Sequence, residues 1–246
     1  MKKLFALILA LTMLLSLTAC GSSSAPAATQ EPAPSAAPEA TPEPSPEPAE
    51  EAAETPAEEP AQEEADPIMG VYDAETYTYI NEFLGLGFQM DESWDVFDEE
   101  GLAALNGMVS EVLTETEMAD ALENSGVVQV FYAQAEDGLV TANIVVENLG
   151  LLYGAVLDEQ AYVELADGQI APALEATGMT DVTIDVSTAS FAGAEHPCIA
   201  IHGLYSGIDF YESIVCIKVN RYMAVITTGS FMADVTGDVL AAFYSL

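Results

Sequence analysis

The composition of residues 21–67 limits what this chain can fold into more than any other feature. The stretch is built almost wholly from Ala, Pro, Glu, Ser and Thr, has no aromatic residue and carries twelve acids. It cannot bury enough apolar surface to offset the entropy of ordering a chain. Repeats such as Pro42-Glu43-Pro44 and Pro46-Glu47-Pro48 add like-charge repulsion to polyproline stiffness. At ~3.1 Å per residue, a polyproline II path over this stretch reaches on the order of 140 Å. It reads as a spacer. Folding is confined to the residues beyond Pro67, where aromatic and β-branched side chains begin. Residues 68–246 are enough for a single core.

Upstream of the spacer, Lys2 and Lys3 precede an apolar run from Leu4 to Leu15 broken only by Thr12, and Leu17-Thr18-Ala19-Cys20 comes next. A charged start, a short apolar run and small residues form an export signal. The run falls short of the roughly 20 residues that span a bilayer. A cysteine directly after Leu-Thr-Ala resembles the bacterial lipobox, in which the thiol is acylated and the signal is cut just before it. That resemblance implies cleavage between Ala19 and Cys20, lipid attachment at Cys20 and residence on the outer face of a bacterial cell membrane. The expected organisation is a signal at 1–19, a lipidated cysteine and acidic spacer at 20–67, and a globular domain at 68–246.

Charge narrows the partners. The chain holds 41 acids against four cations, for a net charge of −37. Two of the cations are lost with the signal. Removing the spacer's twelve acids leaves 29 in the domain against Lys218 and Arg221, a charge of −27. Such a surface lacks the cations that release counterions from nucleic acid, so nucleic acid is excluded as a partner. It also offers no polybasic patch to anionic lipid, which leaves the membrane attachment to the acyl chains.

Within the domain, Tyr77–Leu84 and Leu86–Met90 read as strands joined by Gly85 and Gly87, which permit a tight reversal. Asp98 is placed to cap a short helix carrying Leu102 and Leu105, and Thr114–Glu117 has capping-box spacing for a second helix ending near Gly126. Val127–Gln134 and Leu139–Glu147 read as a hairpin whose Asp137-Gly138 suits a type I′ turn. Asp158 opens a longer helix with Val163, Ala166, Ile170 and Leu174 on one face. Pro172 is expected to kink or divide it. Val182–Val186, Cys198–Tyr205, Tyr211–Val219 and Tyr222–Thr228 read as strands. Asp234 then caps a final helix with Val235, Val239, Phe243 and Leu246 as its apolar stripe. Hairpin-linked strands with helices at start, middle and end make an α+β fold, an antiparallel β-sheet covered by helices.

Certain stretches carry a family likeness. Tyr79-Ile80-Asn81-Glu82-Phe83-Leu84-Gly85-Leu86 with Ser93-Trp94 after it, then Phe191 to Pro197, and the closing Leu240-Ala241-Ala242-Phe243 resemble small Gram-positive lipoproteins of unknown role. That group is similar to the PsbP-like fold. The resemblance implies an accessory binding module with a cell-envelope protein or small ligand as partner, and it brings no common active site.

The residues themselves offer little catalysis. Only His196 and His202 are present, and no serine sits in a Gly-x-Ser-x-Gly elbow, although Ser206 lies downstream of His202. No catalytic residue is expected and the protein reads as a non-enzyme. Metal binding is the sharper idea. Asp91, Glu92, Asp95, Asp98, Glu99 and Glu100 place six carboxylates in ten residues, and Asp91, Asp95 and Asp98 are the candidate Ca2+ ligands. The same acids also suit a helix start. Tyr77, Tyr79 and Asn81 share a face that is expected to be packing. Cys198 and Cys216 have numbers of the same parity. An odd-length loop centred near Gly207 would set them opposite each other as a possible disulfide, and two buried free thiols are the alternative.

Overall fold

A computed structural model describes residues 68–108 and 114–246. The signal, Cys20 and the spacer lie outside the described residues. Two antiparallel sheets form the frame. The smaller has the order β1 (Val71–Asp73), β2 (Thr78–Asn81), β3 (Leu86–Gln89), β11 (Phe243–Ser245). The larger begins with β4 (Trp94–Val96), β5 (Val127–Ala135) and β6 (Val140–Asn148). It continues through β10 (Tyr222–Phe231), β9 (Ile208–Val219), β8 (Ala194–Tyr205) and β7 (Met179–Phe191). The α+β class is as expected, with two sheets rather than one.

Side-chain alternation explains why the central strands read as unbroken apolar runs. On one face of the large sheet Ile144, Val146, Val215, Ala224 and Ile226 join a core with Phe88, Leu86 and Phe243 of the small sheet. On the other, Val145, Ile214, Met223 and Val225 pack against Tyr162, Val163, Ala166, Ile170 and Leu174 of the long helix α4 (Glu159–Ala176). Both faces are buried, so neither residue parity is polar.

Three helix starts carry the expected side-chain caps. Asp98 accepts from the Gly101 N–H at the start of α1 (Glu99–Leu105). Thr114 and Glu117 make both halves of the capping box of α2 (Glu115–Ser125), which ends on Gly126 at φ 83°. Asp158 accepts from the Ala161 N–H to open α4. Pro172 neither divides nor ends this helix, which runs on through it. The carbonyl its ring crowds belongs to Gly168, where no side chain stiffens the backbone. In the β5–β6 loop only Gly138 has positive φ, at 69°, and its N–H donates to the Ala135 carbonyl. The turn is therefore not type I′, which needs positive φ at both central residues.

Two expectations are corrected. The final helix is only α5 (Thr236–Leu240). Its N-cap is Val235 rather than Asp234, which instead accepts from the Thr236 N–H and hydroxyl. Phe243 lies in β11. There its ring stacks on Phe88 at 4.2 Å and 11°. Completing the edge of the small sheet outweighs the helical period of Val239 and Phe243. The cysteine pairing also fails. The β8–β9 hairpin closes on two residues, Ser206 (φ 53°) and Gly207 (φ 80°), with Tyr205 opposite Ile208. That even loop sets Cys198 opposite Val215, so Cys216 points to the other face, toward α4. Both thiols are free and buried, and burial pushes each one's pKa up. Reductant should leave the unfolding temperature unchanged, and both thiols should react with a disulfide reagent only on unfolding. A reductant-sensitive transition would contradict the register.

Candidate ligand-binding cleft

The acidic segment meets aromatic side chains in one place. Residues 69–72, running into β1, form one wall of a cleft of about 550 Å³. The start of α1 forms the other, and Val130 and Phe131 of β5 form the floor. This volume is within the ~300–1,000 Å³ typical of small-molecule sites. Tyr72, Phe97 and Phe131 supply aromatic surface, while Asp98, Glu99 and Glu100 supply carboxylates.

Each wall has a local cause. On the first, Gly70 passes directly over Tyr79, since a Cβ there would stand 2.2 Å from the ring. Tyr79 tilts against Phe131 at 4.2 Å, and its burial raises the phenol pKa. Asn81 is buried and donates both to the Ile68 carbonyl and to the Tyr79 hydroxyl. Glu115 of α2 accepts from the Ile68 and Met69 N–H groups, which fixes the chain where the described domain begins. Tyr79 and Asn81 are thus packing, as their shared face suggested. On the second wall, Phe97 leans on Tyr132 at 4.6 Å. Glu99 and Glu100 occupy the first turn of α1, where the helix N-terminus favours negative charge. The Tyr72 phenol is held above its ordinary pKa first by burial, then by Tyr77, Asp73 and Asp95.

The calcium candidates do not converge. Asp91 closes a turn by accepting from the Ser93 N–H and hydroxyl, contacts that lower its pKa. Asp95 stands on β4 opposite Gln134, and Asp98 is committed to its cap. Among the described residues no three His, Cys, Asp or Glu side chains gather as a metal site.

The histidines are also engaged separately. His196 Nδ1 is 2.9 Å from Glu159 Oε2, and His202 Nε2 is 2.9 Å from Asp209 Oδ1 with its ring stacked on Tyr211. Ser206 lies four residues past His202, roughly 13 Å along a strand, so the two make no nucleophile–base pair.

One polar group gives no sign of itself in the sequence. Glu212 on β9 is fully buried, neither carboxylate oxygen has a partner among the described residues, and burial alone pushes its pKa up to about 8. Register aligns Tyr132, Asn143 and Thr227 across β5, β6 and β10 on the same face. Each of them keeps a buried polar atom without a partner among the described residues. A glutamate in a strand carries no local mark of its depth.

No family model matches the sequence, nor does any curated protein. Among solved structures the chain overlaps LpqN, a protein involved in cell envelope biogenesis of Mycobacterium tuberculosis. The overlap covers 70% of this chain and 82% of that one, at 10% identity and a TM-score of 0.31. An overlap that loose establishes neither a shared fold nor a shared role.

Proposed function

We propose that this is a lipid-anchored extracytoplasmic binding module, non-enzymatic, that takes a small organic cation in the cleft between β1 and α1. The single observation behind it is the pairing in one ligand-sized cleft of aromatic surface with the Asp98–Glu100 carboxylates. Aromatic faces attract cations through their quadrupole, and carboxylates add charge-assisted hydrogen bonds. The domain's charge of −27 raises the local concentration of cations around it. The anchor is Cys20, placed by the lipobox-like tetrapeptide. Among the described residues no helix is long and apolar enough to cross a membrane. The Gram-positive setting and the likeness to the PsbP-like fold belong to the same reading.

Thermal unfolding of the mature chain tests it, with benzyltrimethylammonium chloride as the probe and calcium, magnesium and sodium chlorides as controls. A specific ligand at ~100 times its Kd adds about 2.7 kcal/mol of stability. The benzyltrimethylammonium rise should exceed that in sodium chloride of equal ionic strength, and Glu99→Gln/Glu100→Gln should remove the excess. Equal rises with every salt would mean only that charge is being screened. A calcium-selective rise would turn attention to a metal instead.

A further inference from the structure

We propose that α3 (Gly150–Val156) is a membrane-seating element, whose apolar face enters the interfacial layer of the bilayer that holds the acylated Cys20; this rests on the lipid-anchor reading above. The helix comes directly after β6, and its sequence gives no periodic signal of it. None of its residues is buried. Leu151 and Leu152 are 82% exposed and Val156 75%, with Tyr153 half exposed beside them. Single exposed apolar residues are ordinary, but a helical turn that presents them together marks a contact surface.

The face is held out firmly. Gly150 turns the chain at φ 69° with its N–H donating to Asn148 Oδ1. The Leu149 N–H donates to the Arg221 carbonyl. At Gly154 an added Cβ would stand 2.8 Å from Arg221 Cβ, so glycine is what lets the helix lie on the β9–β10 turn.

The tether selects the occupant. The domain's only two cations, Lys218 and Arg221, both lie at the end of the sheet that carries α3. Arg221 is paired with Glu123, and Glu159 accepts from the Lys218 N–H. This end therefore carries no excess of positive charge, and its contact with the bilayer rests on the apolar face and the tether. Arg221 bonds Glu123 at 2.6 Å and the Tyr222 hydroxyl at 2.8 Å. Tyr153, half exposed, adds an amphipathic ring to the patch, as interfacial segments do. A second copy is disfavoured, because it would bring two domains of charge −27 together. Residues 21–67 separate the domain from Cys20, so acylation there keeps the domain at the bilayer surface. Tethering makes that contact intramolecular, so a patch too small to hold a free protein suffices.

The test uses the full lipidated chain in phosphatidylcholine–phosphatidylglycerol vesicles. Cys20 is acylated and Cys198 and Cys216 are buried, so Leu152→Cys accepts a fluorophore selectively. Ile208→Cys, at the opposite end of β9, is the control. Chain-brominated lipid should quench the probe at 152 several-fold more than the probe at 208. Leu151→Gln/Val156→Gln should abolish that difference while the protein stays on the vesicles with its unfolding temperature unchanged. Co-flotation with an unquenched probe at 152 would overturn the proposal and leave the anchor standing, as would cross-linking of two copies through 152. Absence of co-flotation would overturn both.

Discussion

Glu212→Gln is expected to stabilise the protein at neutral pH and to leave it little changed in mild acid. The folded-state pKa of Glu212 is raised by burial to about 8 from an ordinary value of 4.5, which stands for the unfolded chain. Between those values the folded state keeps a proton that the unfolded state has released. Stability therefore falls as pH rises through that window, by ~1.4 kcal/mol per pH unit, and levels off above it. Glutamine does not titrate. Its advantage should be small near pH 4.5 and grow to on the order of 4 kcal/mol by pH 7.5. Urea unfolding of both proteins at the two pH values reads this directly. Parallel stabilities across the window would mean that Glu212 is hydrated or paired.

The second large effect lies between the sheets. Phe88 is buried, with Phe243 stacked on it and Trp94 and Phe131 meeting it edge-on at 5.7 and 5.8 Å. It thus joins β3, β11, β4 and β5. Phe88→Ala should cost about 3–5 kcal/mol through lost burial and a cavity that three rings only partly fill. That is a large part of the roughly 5–15 kcal/mol that holds a domain folded. Trp94 is the chain's only tryptophan, so its emission reports the site without a label. A red shift should accompany the loss. A cost under about 1 kcal/mol, well below the usual penalty for a buried Phe, would show that the small sheet is not held by this cluster.

What the sequence revealed was local. Asp98, Asp158 and the Thr114–Glu117 box mark helix starts because capping depends on groups within three residues of each other. Gly126 marks a helix end for a similar reason. What it hid was set by distant partners. Phe243 carries a helical stripe with Val239, yet the open edge of β3 recruits it as a strand. Cys198 and Cys216 share parity, but a loop one residue shorter than assumed reverses the face of one of them. In α3, two adjacent leucines suggest a core segment, and only the outward setting of the whole helix shows otherwise. The cleft was half legible. Its acids were marked in the sequence, but what joins them to Tyr72 and Phe131 is the approach of β1 to α1, a tertiary event with no local signal.

The most direct measurement is a nitrogen-15-edited NMR titration of the mature protein with benzyltrimethylammonium at fixed ionic strength. Saturable shifts centred on Tyr72, Phe97, Glu99 and Glu100, and absent from Glu99→Gln/Glu100→Gln, are the predicted result. Shifts spread evenly over the acidic surface, or none beyond those of sodium chloride, would contradict a binding site in this cleft.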